Sequence, residues 1–442
     1  MKMTFDENST ASILQRLHQA NKKFVGLNPG TTHDRQPVHT VYGGAQIFSS
    51  ETAKKMSETA LKNFKQYAPD AATLVKALGE QDSDSELWNK IYNRITKKLE
   101  DEAVEDFRID YEDGYGTRPD AEEDGHAESG ALEVAKGMAQ NSLPPFIGIR
   151  IKPFSEECHR RSIRTLDIFL STLLTKTSGL LPPHFVVTLP KVTHAEQCTA
   201  LVQLFEAIEK KYKLPDNILK FEFMVETTQS IINHDGFSPL RGFAEAGKGR
   251  CTGAHFGTYD YTAGCGITAH YQTMINPVCD FAKHVMQVSL MGTSVWLSDG
   301  ATNVMPVGPH RAKAGGALTA IQQQENQAVV HRAWKLSYDH IRHSLATGFY
   351  QGWDLHPAQL PIRYAATYAF FLESLQSASD RLKGFVEKAA QATLLGDVFD
   401  DAATGQGLLN FFLRALSCGA INSEEALKTG LSIKQIQSKK YF

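Results

Sequence analysis

Short apolar segments rich in β-branched residues recur along the chain and alternate with longer segments of helical periodicity. Near-continuously apolar strands joined by helices indicate parallel pairing through crossover connections, and eight of them close a (β/α)8, or TIM, barrel. The predicted strands are Val38–Tyr42, Phe107–Tyr111, Phe146–Ile151, His184–Leu189, Phe221–Val225, Cys251–Phe256, Ser294–Leu297 and Tyr350–Leu355. The sequence therefore predicts an α/β fold: a TIM barrel with helical insertions and a helical C-terminal extension.

The barrel is predicted to run from about residue 30 to 360 and to carry two insertions. Residues 51–102 are charged and have helical periodicity, whereas residues 258–316 are Gly-rich and are predicted to be irregular. Residues 361–442 are predicted to form the helical extension rather than a second catalytic domain. The helices expected there are Arg363–Ser377, Ala378–Leu395 and Leu408–Cys418.

Composition excludes several classes of protein. The 46 basic and 49 acidic residues leave a net charge of -3, which argues against a nucleic-acid or membrane-surface partner. No apolar run approaches the roughly 18 residues of a spanning helix, and the N-terminus lacks the apolar core of a signal peptide. The six cysteines include no C-x-x-C pair, which suits a reducing compartment. We therefore expect a cytoplasmic protein.

The densest charge feature is residues 101–128, which hold twelve acidic and two basic residues. Most such runs are solvated surface, and this interpretation suffices for the flanks. At the centre, a predicted strand leads directly into Glu112 and Asp113. Carboxylates at the C-terminal end of a barrel strand lie at the mouth where active sites form. Adjacent acids raise each other's pKa unless a cation compensates for their charge, and a bound divalent metal is one way to supply that cation.

Two further acids follow predicted strands. Glu226 ends FEFMVE, and Asp260 follows CTGAHF in a Gly-rich segment. Carboxylate oxygens from two strand ends suit Mg²⁺ or Mn²⁺, with water or substrate completing the coordination. Each acid alone could equally be a helix cap or an ion-pair partner. Their occurrence at successive strand ends favours a metal site.

Two cationic residues also stand at strand ends. Arg150 ends IGIR, and its guanidinium could bind a carboxylate or a developing enolate oxygen. Lys191 follows a strand in TLPKV. The alternative for Arg150 is a structural ion pair with Glu112 or Asp113, and Lys191 has a comparable alternative.

These motifs resemble the citrate lyase β-subunit-like branch of the metal-dependent aldolases (the HpcH/HpaI aldolase family), as a divergent member. The resemblance rests on six motifs in family order: Asp110-Tyr111-Glu112-Asp113-Gly114, Arg150-Ile151-Lys152, Pro190-Lys191-Val192, Val225-Glu226-Thr227, Phe256-Gly257-Thr258-Tyr259-Asp260-Tyr261 and Gly352-Trp353-Asp354-Leu355-His356-Pro357-Ala358-Gln359. They extend over a little more than half of the chain. In the second motif, Lys152 replaces the family's Asn.

The resemblance implies a phosphoenolpyruvate/pyruvate-type barrel in which Glu226 and Asp260 hold Mg²⁺ or Mn²⁺ and Arg150 binds a substrate oxygen. It implies a carbon–carbon lyase or aldolase that acts on a small oxo or hydroxy acid through a pyruvate-like enolate. Glu112 and Asp113 would orient water or carry protons, and Lys191 would contact the substrate. Members are usually oligomers, so a homo-oligomer is expected.

Departures from the family pattern bear on the substrate. Residues 36–44 contain no Arg or Lys, where CoA-using relatives carry a basic residue, so a CoA ester is disfavoured. An acyl-CoA lyase of the citryl-CoA or malyl-CoA type stays an alternative, as do a phosphoenolpyruvate-utilising enzyme and a non-enzymatic barrel.

Three more residues are candidates for the mouth of the barrel. His39 is either a catalytic proton shuttle or a buried core histidine. Arg118 is either a substrate contact or a salt-bridge partner within the acidic run. His356, beside the last strand, is a candidate substrate contact.

Overall fold

The structure is a computed structural model that describes residues 4–5, 7–30, 34–312, 316–387, 393–395, 398–400 and 402–438. Its centre is a parallel sheet of eight strands. They are β1 (His39–Gly44), β2 (Asp106–Asp110), β3 (Phe146–Arg150), β4 (Phe185–Leu189), β5 (Lys220–Val225), β6 (Cys251–Phe256), β7 (Trp296–Ser298) and β8 (Gly352–Asp354).

The sheet closes into a barrel. Successive strands from β1 to β7 pair in parallel, and β1 also pairs with β8. Beyond the end of β7, Ala301 forms a parallel bridge with Trp353 of β8. The predicted (β/α)8 barrel is therefore confirmed, and all eight predicted strands lie within two residues of the observed bounds.

Helices surround the barrel. They are α1 (Glu7–Leu27), α2 (Thr52–Tyr67), α3 (Ala71–Leu78), α4 (Ser85–Glu102), α5 (Asp120–Gln140), α6 (His159–Lys176), α7 (Ala195–Tyr212), α8 (Thr228–Ile231), α9 (Leu240–Ala246), α10 (Thr258–Gly264), α11 (Pro277–Leu290), α12 (Ala320–Ala346), α13 (Leu360–Glu373), α14 (Leu375–Glu387), α15 (Ala402–Ser417), α16 (Ser423–Leu427) and α17 (Ile433–Ser438). Among the helices described, none is long and apolar enough to cross a membrane.

The two predicted insertions differ from each other. Residues 51–102 form α2, α3 and α4, as the helical periodicity predicts. The prediction that residues 258–316 are irregular is wrong for the first half, which contains α10 and α11. The apolar face of α11 comprises Cys279, Ala282, Met286 and Leu290. Their i, i+3, i+7, i+11 spacing is helical, but the glycines on either side obscured it.

The helix that completes the barrel lies within the predicted extension. α13 begins five residues after β8, and nearly all of its side chains are buried. Arg363 of α13 donates two hydrogen bonds to the Asp354 carboxylate of β8, at 3.0 and 3.1 Å. α13 is therefore the eighth barrel helix, and the extension begins after Glu373.

The helix predicted over Ala378–Leu395 is wrong at its C-terminal end. The structure describes α14 as far as Glu387, residues 388–392 lie outside the described residues, and β9 (Thr393–Leu395) pairs antiparallel with β10 (Val398–Asp400). A Gly-Asp dipeptide separates two short apolar segments in the sequence here, and this is a hairpin signal that the helical pattern masked.

The interior of the barrel is charged rather than aliphatic. Alternate residues of β2 face inward, so Asp106, Arg108 and Asp110 form a column along the axis. The Arg108 guanidinium contacts Asp106 and donates to Glu222 of β5 at 2.8 and 2.9 Å. His255 of β6 lies 2.8 Å from the same Glu222 carboxylate. These buried ions are mutually satisfied, which is the condition under which charges are tolerated in a core.

We expect Arg363→Met to lower the free energy of unfolding by roughly 3–5 kcal/mol, because it leaves the buried Asp354 carboxylate unpaired. Lys335→Met is the matched control, since Lys335 pairs with Asp339 on the exposed face of α12 and should cost less than about 1 kcal/mol. Urea denaturation measures both variants. Equal losses would contradict a structural role for the β8–α13 ion pair.

Candidate functional site

Six of the predicted site residues converge at the C-terminal end of the barrel. They are placed by the ends of five strands, β2 to β6, or by the loops that follow them, because parallel strands deliver their C-terminal ends to one face. We define the carboxylate cluster as Glu112, Asp113, Glu226 and Asp260. The two cations that contact it are Arg150, the last residue of β3, and Lys191, which follows β4.

Arg150 is held rigidly from three sides. Its Nε and Nη2 donate to the two oxygens of Asp110, at 2.7 and 2.6 Å. Its Nη1 lies 3.0 Å from Glu112 Oε2. The guanidinium carbon lies 4.7 Å from the centre of the Tyr42 ring and 5.9 Å from that of Trp353. The ion pair with Glu112 that the sequence left open is therefore present, and it coexists with the position of Arg150 at the mouth.

Lys191 lies at the centre of the carboxylate cluster. Its φ of 51° is in the left-handed region, which is uncommon for a residue with a side chain and is often found at functional sites. In this conformation its backbone N–H donates to Glu226 Oε1 at 2.7 Å. Its ammonium contacts Glu112 and lies 3.6 Å from Asp260 Oδ2. The centre of the cluster therefore accommodates a cation.

Negative charge exceeds positive charge at this site. The cluster and Asp110 supply five carboxylates against the two cations. Burial, together with the charges of Asp260 and Glu112, raises the pKa of Glu226 to about 8, although the Lys191 ammonium opposes the shift. Burial also raises the pKa of Glu112, against the pull of Arg150 and Lys191. Additional positive charge would stabilise the ionised form of both carboxylates.

The Glu226 side chain depends on a glycine. A Cβ at Gly257 would lie 2.5 Å from both the Cβ and the Oε2 of Glu226, closer than side chains approach. Gly257 follows β6 and precedes α10, the helix whose first turn carries Asp260. Its missing side chain is therefore what lets the two acids share one part of the mouth.

The cluster does not supply a complete metal cage. Across the part of the chain that the structure describes, no group of three or more His, Cys, Asp or Glu side chains could hold a metal ion by itself. Mg²⁺ is usually bound by one or two carboxylates, with water and substrate supplying the other ligands. Two hard oxygen donors beside a centre that already accepts the Lys191 ammonium fit that requirement.

Three predicted site residues lie elsewhere. His39 begins β1, at the end of the barrel opposite the carboxylate cluster, and is fully buried. Its Nε2 accepts a hydrogen bond from the backbone N–H of Glu105 at 3.0 Å. Burial lowers the pKa of His39 to about 4. The prediction of a proton shuttle at the mouth is therefore wrong, and the core-histidine alternative describes this residue.

The other two residues make local contacts. Arg118 pairs with Glu122 on the surface and stacks over Tyr115, so the salt-bridge alternative describes it. The ring of His356 accepts a hydrogen bond from the backbone N–H of Ala358 at 3.1 Å and caps a short turn after β8. Both were predicted as substrate contacts, and both are engaged within a few residues of their own position.

The structure adds residues that the sequence did not assign. Asp110 is the principal partner of Arg150, and Tyr42 and Trp353 supply the rings against which the guanidinium packs. The alternation of strand residues was the available signal, since it places Tyr42 and Asp110 on the inward face of their strands. Lys152 has a structural role, donating to Glu123 and to the Tyr111 carbonyl, each at 2.7 Å.

Comparisons with known proteins place the chain in a family and identify its fold. The model of a family described as "Domain of unknown function (DUF6986)" matches residues 17–442. No curated protein matches the chain. A citrate lyase from Burkholderia xenovorans LB400 has a similar structure, with a TM-score of 0.58 and 16% identity over 90% of this chain and 97% of that chain.

Two further solved structures are more distant. Protein CitE from Mycobacterium tuberculosis, in complex with magnesium, acetoacetate and coenzyme A, has a TM-score of 0.47 and 14% identity over 87% of this chain and 99% of that one. Haloferax volcanii malate synthase has a TM-score of 0.48 and 14% identity over 93% and 98%. The similarity to the Burkholderia xenovorans structure supports the barrel fold, and at 16% identity it leaves the chemistry open.

We expect His39 to make stability sensitive to acid. Its pKa is lowered in the folded protein, so the unfolded chain binds the proton first and stability falls as the pH drops from about 6.5 to about 4, by about 3 kcal/mol. His39→Gln should flatten this part of the curve by that amount, whereas the exposed His234→Gln should leave it unchanged. Denaturant titrations at several pH values measure the slopes. A slope for His39→Gln equal to that of the unmutated protein would refute the assignment.

Proposed function

We propose that this chain, which belongs to the DUF6986 family, is a divalent-metal-dependent carbon–carbon lyase that acts on a small oxo or hydroxy acid through a pyruvate-like enolate. The observation that carries the proposal is the carboxylate cluster, with its excess of negative charge, beside two fixed cations at the C-terminal end of a TIM barrel. The similarity of the motifs to the metal-dependent aldolases supports the same class of reaction.

Glu226 and Asp260 are the residues proposed to hold the metal, Mg²⁺ or Mn²⁺. Both follow neighbouring strands, and both offer the oxygen donors that these ions prefer. A bound divalent cation would act as a Lewis acid, polarising a substrate carbonyl and stabilising an enolate. With all five carboxylates ionised, its two charges would reduce the excess of three negative charges at the site to one.

Arg150 and Lys191 are proposed to bind the substrate's oxygens. Asp110, Tyr42 and Trp353 fix the orientation of the Arg150 guanidinium before substrate arrives, so little reorganisation accompanies charge development at the oxygen that it contacts. The Lys191 ammonium offsets part of the negative charge of the cluster and can pair with a substrate carboxylate.

Glu112 is proposed to transfer protons, and Asp113 is proposed to orient water. Glu112 is nearly buried and its pKa is raised, which brings a carboxyl closer to the range in which it exchanges protons near neutrality. Asp113 is more exposed, and Arg150 and Lys191 hold its pKa below the usual value although burial opposes them. Asp113 is thus suited to stay ionised and to orient water.

Calorimetric titration with Mg²⁺ and oxalate, a mimic of the pyruvate enolate, tests the site. We expect oxalate to bind only with metal present, and Glu226→Gln and Asp260→Asn each to weaken that binding at least tenfold. Each substitution removes a negative charge and keeps the side chain's size. Asp235→Asn, in the exposed segment between α8 and α9, is the matched control and should bind as the unmutated protein does.

Undiminished metal-dependent binding in both site variants, or binding in EDTA, would overturn the metal assignment. Two further titrations separate the alternatives within the fold. Tight binding of CoA without any effect of pyruvate would indicate an acyl-CoA lyase. Release or transfer of phosphate from phosphoenolpyruvate would indicate a phosphoenolpyruvate-utilising enzyme.

A further inference from the structure

The mouth of the barrel has two unlike halves. The carboxylate cluster and its cations follow β2 to β6. Beyond the remaining strands, residues 45–50 after β1, 301–308 after β7 and 355–359 after β8 contain no Asp, Glu, Lys or Arg. Asp299, which directly follows β7, is buried and accepts a hydrogen bond from Lys283 at 2.9 Å, so its charge is already paired. Since β8 pairs with β1 and bridges to the chain after β7, these three segments are neighbours around the mouth.

Each uncharged segment presents an apolar side chain to solvent. Ile47 is 72% exposed, Val304 is 43% exposed and Leu355 is 38% exposed. We call these three residues the apolar rim. Single exposed apolar residues are common on protein surfaces, but these three lie on segments that strand pairing makes neighbours, which favours a shared binding surface.

Hydrogen bonds connect the segments that carry the apolar rim to the charged half of the mouth. Tyr259, the neighbour of Asp260, donates its hydroxyl hydrogen to the Ala301 carbonyl at 2.8 Å and accepts from the Asn303 N–H at 2.9 Å. These two bonds fix the segment that carries Val304 against the helix that carries Asp260. On the other side, the Gln46 amide donates to the Gly114 carbonyl at 3.4 Å. Gly114 lies in the loop of residues 111–119 between β2 and α5, which carries Glu112 and Asp113 and which we call the acidic loop.

Aromatic rings form the floor between the two halves. The Tyr42 and Trp353 rings lie 4.5 Å apart, and each lies in the strand that leads to one of the rim residues, Ile47 and Leu355 respectively. Arg150 packs against both rings from the charged side. A ligand oxygen bound by Arg150 therefore has these two aromatic rings beside it.

We propose that the substrate is a 2-oxo or 2-hydroxy acid whose substituent is uncharged and apolar. The acid group would lie at Arg150 and the carboxylate cluster, and the substituent would lie over the Tyr42–Trp353 floor against the apolar rim. This inference rests on the proposed function and narrows it. A charged substituent would lose hydration on that side and find no ionic partner in the three uncharged segments.

Calorimetry on the Mg²⁺-loaded protein tests the inference with oxalate, pyruvate, 2-oxopentanoate and 2-oxoglutarate. 2-Oxopentanoate has two more methylene groups than pyruvate, and burial of each increases the affinity about fourfold. We therefore expect 2-oxopentanoate to bind about 15-fold more tightly than pyruvate. 2-Oxoglutarate has the same chain length with a charged end, and it should bind no better than pyruvate. Ile47→Asp should reduce the 15-fold ratio towards one.

Leu180→Asp is the matched control. Leu180 is also an exposed apolar residue, at 65%, but it precedes β4 and therefore lies at the opposite end of the barrel. The Leu180→Asp variant should still bind 2-oxopentanoate about 15-fold more tightly than pyruvate. Light scattering on both variants shows whether the rim is instead covered by a second copy of the chain, in which case Ile47→Asp would halve the mass without changing the ratio.

Each outcome discriminates. A 15-fold ratio that only Ile47→Asp removes would support the inference. Suppose that oxalate binds but that the protein binds pyruvate and 2-oxopentanoate with equal affinity, or prefers 2-oxoglutarate. Either result would overturn the inference and leave the proposed function intact. A halved mass with an unchanged ratio would also overturn it. Failure of every acid to bind, oxalate included, would overturn the proposed function as well.

Discussion

The buried ion pair between Asp110 and Arg150 is the interaction on which the site depends. Asp110 accepts two hydrogen bonds from the guanidinium, and its oxygens also accept the backbone N–H groups of Glu112 and Gly114, at 3.0 and 2.7 Å. One carboxylate thus fixes the end of β3 and the start of the acidic loop. Removing either partner of such a pair typically costs 3–5 kcal/mol, because the other charge stays buried and unpaired.

The same pair explains how adjacent acids coexist at the mouth. The acidic loop is folded around Asp110, which directs Glu112 towards Arg150 and Lys191 rather than into solvent. The negative charge that Arg150 does not pair lies near Glu226 and Asp260. Gly257, which has no side chain, leaves the space that the Glu226 side chain occupies there. In the other half, the charges at the strand ends are buried and paired, Asp299 with Lys283 and Asp354 with Arg363, and the segments beyond them are uncharged.

Charged residues in the strands have two distinct roles in this barrel. Arg108, Glu222 and His255 satisfy one another in the interior, and His39 is held between β1 and α13, where its ring lies edge-on to Tyr364. Only the residues at strand ends or just beyond them reach the mouth. A polar residue in a strand is therefore weak evidence for catalysis here, and its distance from the C-terminal end of the strand is the stronger criterion.

The sequence by itself determined the eight strands, the helical insertion and the residues that end each strand, because apolar periodicity and strand-end position are local properties. The convergence of Glu112, Arg150, Lys191, Glu226 and Asp260 followed from these, since parallel strands share one C-terminal face. The partner of each ion was decided by tertiary structure. Arg118 pairs with Glu122, four residues away in the sequence, whereas Arg150 pairs with Asp110 of the neighbouring strand. Closure of the barrel also brought the uncharged segments together, because such long-range contacts depend on strand pairing that no local pattern encodes.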